Sequence, residues 1–343
     1  MKTTRIDNPK LKLGCWNVRT MLPGISEDLQ TISDVRKTAV INKELLRLQI
    51  DIAALQETRL ADSGILKESD YTFFWQGKNP GESIQHGVGF AVHNSLLDKV
   101  QLGCVATERI MSLVVNTTTG STNLVCVYAP TLSSPEETKD SFYNSLELVL
   151  RKLNDNHSLI LLGDFNARVG ADYEAWPTCL GHFGVKKCND NGQRVLELCA
   201  YHDLCITNTF FSTKKHHSVS WWHPRSKHGH QLDLILTRRK HFCNFTLTRS
   251  YHSADCDTDH SLVCCTIKLH PKKFYRTKQT AHPKVDVTKT KDSGRINTFA
   301  SSFTSQFIHT EGLSSTEMWT NLKEATHNAA MSAFGQKKRR PKE

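Results

Sequence analysis

The sequence predicts an α+β fold in which short strands pack into sheets and helices cover them. Short apolar runs and amphipathic segments alternate at irregular intervals, whereas a doubly wound parallel sheet would alternate them regularly. Several apolar runs end in polar clusters, as expected where a strand leaves the core. After Leu269 the chain becomes basic and poor in apolar residues, which predicts a separate C-terminal extension.

The apolar pattern assigns elements in order along the chain. Strands are predicted at 11–18, from 51, at 87–92, 112–116 and 123–131, from 158, and at 231–239 and 261–269. Helices are predicted over 33–49, 135–153 and about 192–204, where apolar residues recur at helical spacing. We therefore expect a flexible N-terminus at 1–10, a main domain at 11–269, a basic linker at 270–294, and a helical pair with a basic tail at 295–343.

Composition restricts the class of protein. No run of about 18 apolar residues occurs, so no membrane partner is expected. The first residues lack the apolar core of a secretory signal. The eleven cysteines include no C-x-x-C pair, which favours reduced thiols in the cytosol or nucleus. The net charge is +10, and residues 271–343 alone contain 14 Lys and Arg against 6 Asp and Glu. Such a tail suits a polyanionic partner, or is simply a solvated end.

Five polar clusters lie at the ends of predicted strands. They are residues 16–17, 56–58, 163–166, 231–233 and 257–260. An acid at the end of one strand is more often a turn former or helix cap, so the joint occurrence carries the argument. Gathered in one cleft, the clusters supply carboxylates, amides and an imidazole, a set that favours Mg²⁺ or Mn²⁺ over zinc. Hydrolysis of a phosphodiester needs such a cation, an oriented water and help for the leaving oxygen.

The motifs CWNV, LQET, VYAP, GDFNARVG, QLDLIL and TDHSLV, in this order, resemble the endonuclease/exonuclease/phosphatase superfamily over about residues 11–269. The runs CWNVRTM and NGQRVLELCAYHDLCITNTFF are most similar to the endonuclease domains of non-LTR retrotransposons and of craniofacial development protein 2-like proteins. The resemblance implies a four-layer α/β sandwich, with two packed mixed β-sheets flanked by helices and followed by a C-terminal helical extension.

The resemblance also implies roles for individual residues. Glu57 is expected to be the main metal ligand, and Asp164 with Asn166 to orient and deprotonate the attacking water. His260, held by Asp233, would contact the phosphate or position the nucleophile. The implied catalytic set is Tyr128, Asp164, Asn166, Asp233 and His260. The implied metal set is Asn17, Glu57, Asp164, Asn166 and Asp259, the last assisting either the metal or the imidazole.

Residues 213–230 are basic, rich in His and aromatic, and are predicted to form a loop at the rim of the site. Trp221 or Trp222 would stack against bases while cations follow the backbone. The alternative is that one Trp is core and the charges are solvated. Where related abasic-site endonucleases carry a second acid, this chain has Arg19, which favours a phosphate contact over abasic-site repair. The expected substrate-binding set is Arg19, Ser220, Trp221, Arg225 and Lys227.

These observations predict a divalent-metal endonuclease that nicks DNA, with no small-molecule cofactor. One alternative is a protein that binds nucleic acid or protein without cleaving. Another is a phosphatase of the same fold, but those relatives carry Trp-Cys-Asp-Arg where this chain has Gln-Leu-Asp-Leu at 231–234. The DNA substrate and the KKRR run at 337–340 predict a nuclear location, with the cytoplasm as the alternative.

Overall fold

The computed structural model describes residues 10–22, 36–79, 81, 85–154, 156–274, 285–307 and 315–337. The chain divides into two compact units, residues 1–274 and 275–343. Residues 1–9 of the predicted flexible N-terminus, residues 275–284 of the predicted linker and residues 338–343 of the basic tail lie outside the described residues. In the described part of the first unit, the strands are β1 (Leu11–Asn17), β2 (Ile52–Gln56), β3 (Ser63–Lys67), β4 (Tyr71–Gln76), β5 (Val88–His93), β6 (Val100–Ala106), β7 (Ile110–Thr117), β8 (Gly120–Tyr128), β9 (Ser158–Asp164), β10 (Val169–Gly170), β11 (Val185–Cys188), β12 (Leu204–Ile206), β13 (Trp221–Trp222), β14 (Gly229–His230), β15 (Asp233–Arg238), β16 (Phe245–Tyr251) and β17 (Leu262–Ile267).

Two mixed sheets form the centre of this unit. One has the order β16-β17-β1-β2-β5-β4-β3, with β1 and β2 parallel and the other neighbours antiparallel. The other has the order β12-β15-β9-β8-β7-β6, with β8 and β9 parallel. The short pairs β10-β11 and β13-β14 lie outside these sheets.

Strand alternation explains how the layers stack, since successive side chains point to opposite faces. In β1, Leu13 and Cys15 enter a core shared by both sheets, whereas Trp16 faces the layer of helix α1 (Lys37–Arg47). In β9, Leu162 enters the shared core and Leu161 faces helices α2 (Glu136–Lys152) and α3 (Asp190–Tyr201). The resulting order of helix, sheet, sheet and helices confirms the predicted four-layer sandwich.

The structure corrects two element boundaries. The helix predicted over 192–204 ends at Tyr201, because Asp203 adopts a left-handed backbone with φ of 51° and the chain then enters β12. The helix predicted over 33–49 is α1, which ends at Arg47 because Gln49 has a left-handed backbone with φ of 55°; the predicted residues 33–35 lie outside the described residues. Among the strands of the two main sheets, the apolar pattern had not assigned β3, β4, β6, β12 or β16.

In the second unit, helices α4 (Ser293–Gln306) and α5 (Ser315–Phe334) form a pair. The side chain of Asp292 caps α4 by accepting hydrogen bonds from the backbone N–H groups of Gly294 and Arg295. The rings of Phe299 and Phe334 lie 5.7 Å apart, and they join the two helices. The C-terminal part of the predicted linker is ordered, because a short 3₁₀ helix occupies Val287–Lys291.

Candidate active site

The topology brings the polar strand ends to one end of the two sheets. Asn17 ends β1, Glu57 follows β2, Asp164 ends β9 and Asp233 begins β15. Asp164 and Asp233 are register partners because β9 and β15 run antiparallel. Asn17, Asp164 and Asp233 continue the inward-facing alternation of their strands, so the site lies where the shared core opens.

A single amide joins the acids of the two sheets. The Nδ2 of Asn17 donates to Oε1 of Glu57 at 2.9 Å and to Oδ2 of Asp164 at 3.0 Å. These two carboxylate oxygens are therefore within about 6 Å of each other. The Oδ1 of Asn17 accepts the backbone N–H of Arg19 at 2.9 Å. Asn17 thus presents its nitrogen to the carboxylates, and acting as a direct metal ligand would require the amide to turn over.

His260 lies between the two acids of the second sheet. Its Nδ1 is 2.9 Å from Oδ2 of Asp233, and its Nε2 is 3.9 Å from Oδ2 of Asp164. Burial alone would lower the pKa of His260, but Asp233 and Asp164 outweigh burial and raise it to about 10. The imidazole is therefore held as an imidazolium at neutral pH.

Asp164 is a buried acid whose ionised form is disfavoured. Burial, followed by the charge of Asp233, raises the pKa of Asp164 to about 7, although His260 opposes this rise. Two bonds support its ionised form: one from Asn17 and one from the backbone N–H of Asn166 at 2.9 Å. A carboxyl group with a pKa near neutrality is suited to accept a proton.

Tyr128 and Glu57 meet at the outer side of the site. The Tyr128 hydroxyl donates to Oε1 of Glu57 at 3.0 Å, and burial and the Glu57 charge raise the pKa of Tyr128. Tyr128 therefore remains a protonated donor. The Arg109 guanidinium donates to the Tyr128 carbonyl at 3.1 Å and lies 5.4 Å from the ring, which holds the ring in place.

Asn166 is positioned by the loop around it. Its backbone is left-handed, with φ of 48°, and its Nδ2 donates to the carbonyl of Ala129 at 3.0 Å. Asn191, which is fully buried, donates to the Asn166 carbonyl at 2.9 Å. A left-handed backbone costs free energy in any residue with a side chain, so the contacts of neighbouring residues must hold Asn166 in this conformation. The structure therefore places Asn166 beside Asp164, and its role towards water or metal stays a prediction.

Ser220 is not at the rim where the phosphate contact was predicted. It is fully buried, and its Oγ accepts the backbone N–H groups of Leu232 and Asp233 at 3.0 and 3.1 Å. A hydroxyl committed to two backbone donors positions the start of β15 and is not accessible to a phosphate. We therefore reassign Ser220 to holding Asp233 in place.

The charge of Asp259 helps to raise the pKa of His260, and this acid also contacts the rim. Its Oδ2 accepts the indole N–H of Trp221 at 2.8 Å. Although burial raises the pKa of Asp259, this bond and the charge of His260 outweigh burial and lower it. The structure thus connects Asp259 to Trp221 at the rim. The ring of Trp221 lies 6.4 Å from that of His260, so the rim borders the cluster of polar strand ends.

The remaining predicted contacts lie on exposed surfaces. Arg19 is exposed and close enough to Asp259 to lower its pKa. Arg225 and Lys227 lie in the tight turn between β13 and β14, and both are exposed. Trp222 is 44% exposed on the same hairpin. The Trp221 backbone pairs with that of His260, which ties this hairpin to the site.

The sequence interpretation did not single out three supporting residues. Arg59 donates to Oε2 of Glu57 at 2.7 Å. The Nδ2 of Asn208 donates to the Asp233 carbonyl at 3.1 Å, and its Oδ1 accepts the backbone N–H of Ile235 at 2.8 Å. Asn191 holds Asn166. For Asn208, the available sequence signal was an Asn within the apolar run CITNTFF, because a buried amide must find hydrogen-bond partners.

The side chains fit a divalent cation. Among the described residues, the group of His, Cys, Asp and Glu side chains whose ligand atoms converge within 4.8 Å is Asp164, Asp233 and His260. The neighbouring acids favour the protonated imidazole of His260, which has no free lone pair to offer a metal, so we assign the ligand atoms to the carboxylates. The Oδ1 of Asp233 is buried without a hydrogen-bond partner. Burial and the charge of Asp233 disfavour the ionised form of Asp164. With Glu57, these acids form an oxygen-rich set of the kind hard cations prefer.

The fold and the site define an α/β sandwich with an acid, amide and imidazole cluster where its two sheets open. A sequence profile of the Endonuclease/Exonuclease/phosphatase family matches residues 14–260, and the chain belongs to this family. It is 28% identical over 267 residues to craniofacial development protein 2 of Bos taurus, covering 77% of this chain and 42% of that protein. The chain thus spans less than half the length of the curated relatives it matches.

Solved structures show the same fold. The endonuclease domain of TRAS1, a telomere-specific non-LTR retrotransposon, superposes with a TM-score of 0.52 at 17% identity, covering 76% of this chain and 99% of that domain. The catalytic domain of Xenopus laevis APE2 superposes with a TM-score of 0.55 at 16% identity, covering 78% and 94%. No helix among the described residues is long and apolar enough to cross a membrane.

Proposed function

We propose that this protein is a divalent-metal-dependent endonuclease that hydrolyses phosphodiester bonds of DNA and leaves a nick. The observation that carries the proposal is the continuous hydrogen-bonded chain from Glu57 through Asn17 to Asp164, with the His260–Asp233 pair beside it. One compact cluster thus combines acids for a cation, an acid near neutral pKa and a fixed imidazolium. Phosphodiester hydrolysis needs these three elements.

Glu57 and Asp164 would hold Mg²⁺ or Mn²⁺, with Asn17 taking part if its amide turned over. When bound, the cation would supply Lewis-acid polarisation of a phosphoryl oxygen and would offset the negative charge of the cluster. The fit rests on the buried carboxyl group of Asp164, whose ionised form is disfavoured, and on the Oδ1 of Asp233, which is buried without a hydrogen-bond partner.

Different side chains of the protein would accept the proton of the attacking water and donate hydrogen bonds to the phosphate. Asp164, with Asn166 beside it, would orient the attacking water and accept its proton. The Nε2–H of His260 faces the same space as Asp164 and donates to an anionic phosphate oxygen, while Asp233 holds the ring. The Tyr128 hydroxyl stays protonated, and after releasing its hydrogen bond to Glu57 it would donate its proton to the oxygen that leaves as the 3′-hydroxyl.

DNA is the substrate that the rim supports. Arg19 is an exposed cation near Asp259, and the hairpin whose backbone pairs with His260 carries the exposed cations Arg225 and Lys227 and the exposed ring of Trp222. Cations that contact phosphates together with exposed aromatic rings are typical of nucleic-acid surfaces. The TRAS1 domain, by its description an endonuclease of a retrotransposon, supports the same substrate class.

A plasmid-nicking assay tests the proposal. Purified protein with Mg²⁺ should convert supercoiled plasmid to open circles with 3′-hydroxyl and 5′-phosphate ends, and both EDTA and Asp164→Ala should abolish conversion. Activity that persists through both treatments would refute the mechanism. Salt-dependent DNA binding without nicking by the wild type would favour the binding-protein alternative instead.

We also propose a nuclear location, which is supported by the DNA substrate and by the basic run at 337–340. A fluorescent fusion of the full chain should accumulate in nuclei, and exclusion from nuclei would contradict this.

A further inference from the structure

We propose that Arg59 is a built-in counter-ion of Glu57, which competes with the divalent cation for this carboxylate and is displaced when the cation binds. The inference rests on the proposed function, because it concerns how the site takes up its metal. It assigns Arg59 as a positioning residue that controls metal affinity.

The contacts of Glu57 show why the two cations compete. Its Oε1 accepts hydrogen bonds from Asn17 at 2.9 Å and from Tyr128 at 3.0 Å, and its Oε2 accepts one from Arg59 at 2.7 Å. Arg59 is the charged member of these three donors. A divalent ion on the same carboxylate would stand near the guanidinium, and like charges at such a separation repel strongly. Metal binding to Glu57 therefore requires Arg59 to give way.

The Arg59 side chain can leave Glu57 and move into solvent. Its Nε is buried without a hydrogen-bond partner, so the pair with Glu57 leaves one polar group unsatisfied. The side chain is nevertheless 40% exposed and can move into solvent without crossing the core. Release would let water reach the Nε–H, which partly offsets the loss of the ion pair.

The backbone aims both partners at the mouth of the site. Glu57 and Arg59 have left-handed φ values of 54° and 50°, which are costly for residues with long side chains. Two residues that precede β5 hold this turn. The His86 carbonyl accepts the N–H of Arg59 at 2.9 Å, and the Gly87 carbonyl accepts the N–H of Thr58 at 3.1 Å. The loop that presents the proposed metal ligand therefore also presents its competitor.

Metal binding without DNA tests the proposal. Arg59→Gln keeps a donor for Glu57 but removes the charge, and should tighten Mn²⁺ binding by about tenfold in isothermal titration of the full chain. Arg59→Lys, which keeps the charge, should bind Mn²⁺ about as the wild type does. Arg47→Gln is the matched control, since Arg47 also pairs with a glutamate, Glu44, at 2.6 Å, and its affinity should not change.

Unchanged or weaker Mn²⁺ binding by Arg59→Gln would overturn the inference. A second measurement uses the wild-type protein, in case this variant folds poorly. With ¹⁵N-labelled arginine, Mg²⁺ should shift the Nε–H resonance that is missing from Arg59→Lys, and an unmoved resonance would also overturn it. Failure of the proposed function would look different, because Mn²⁺ binding would then be absent from the wild type or unaffected by Glu57→Gln.

Discussion

The pair formed by His260 and Asp233 offers the sharpest test of a single residue. Asp233→Asn keeps the shape of the side chain and removes the charge that lies 2.9 Å from the imidazole. The rise in the pKa of His260 from 6.5 to about 10 corresponds to about 5 kcal/mol of preference for the imidazolium. Two carboxylates share this preference, and Asp233 is the nearer. We therefore expect the pKa of His260 to fall well below 10 in the variant.

Catalysis and stability should both report this change. Loss of a fixed imidazolium should lower the nicking rate constant by about 10²- to 10⁴-fold, the usual contribution of a positioned acid or base. Because the folded-state pKa of His260 is raised, its contribution to the free energy of unfolding is complete below pH 6.5 and is lost as the pH rises through 10. The variant should therefore be most destabilised below pH 6.5 and progressively less so towards pH 10.

The assays are single-turnover nicking, NMR titration of the His260 ring and urea unfolding at several pH values. Asp140→Asn is the control, since Asp140 pairs with Arg194 at 2.7 Å on the surface. A variant that keeps the wild-type rate, or a His260 pKa still near 10, would refute the assignment of Asp233 as the group that charges His260.

Further predictions concern the neighbours of this pair. Asn17→Ala removes the donor that joins the two acids, and should weaken Mn²⁺ binding by about 10- to 100-fold in calorimetry; unchanged affinity would contradict its role. Mn²⁺ binding should strengthen as the pH rises through about 7, because Asp164 must lose its proton, and a flat profile from pH 6 to 8 would contradict this. Asn208→Ala leaves two buried backbone groups unpaired and should lower the free energy of unfolding by about 2–4 kcal/mol in urea. Trp221→Phe removes the donor to Asp259, so the pKa of this carboxyl should rise, and NMR that shows no rise would contradict the contact.

The sandwich could be predicted from the sequence because each central strand is a continuous apolar run. Apolar runs such as SLILL mark strands buried on both faces, and these form the centre of each sheet. Edge strands carry less of this signal. In β3 the residues are exposed or half-buried and its apolar Ile65 is 64% exposed, so an apolar pattern could not identify it.

The candidate site could be predicted where a polar residue ends a buried strand, since the strand fixes its direction. This is the case for Asn17, Asp164 and Asp233. The roles of Ser220 and Asp259 depended instead on the path of the hairpin between β13 and β14. That path buries the hydroxyl of Ser220 and brings the indole of Trp221 to Asp259, and neither contact follows from sequence spacing.

The central claim is that the ends of the two sheets act as one catalytic site, and a double-mutant cycle in nicking rate tests it most directly. Glu57 lies at the end of one sheet and Asp233 at the end of the other. Residues that act as one unit show strongly non-additive losses. We predict that Glu57→Gln with Asp233→Asn loses little more rate than the more damaging single variant. Losses that multiply, or a single variant with the wild-type rate, would contradict a single shared site.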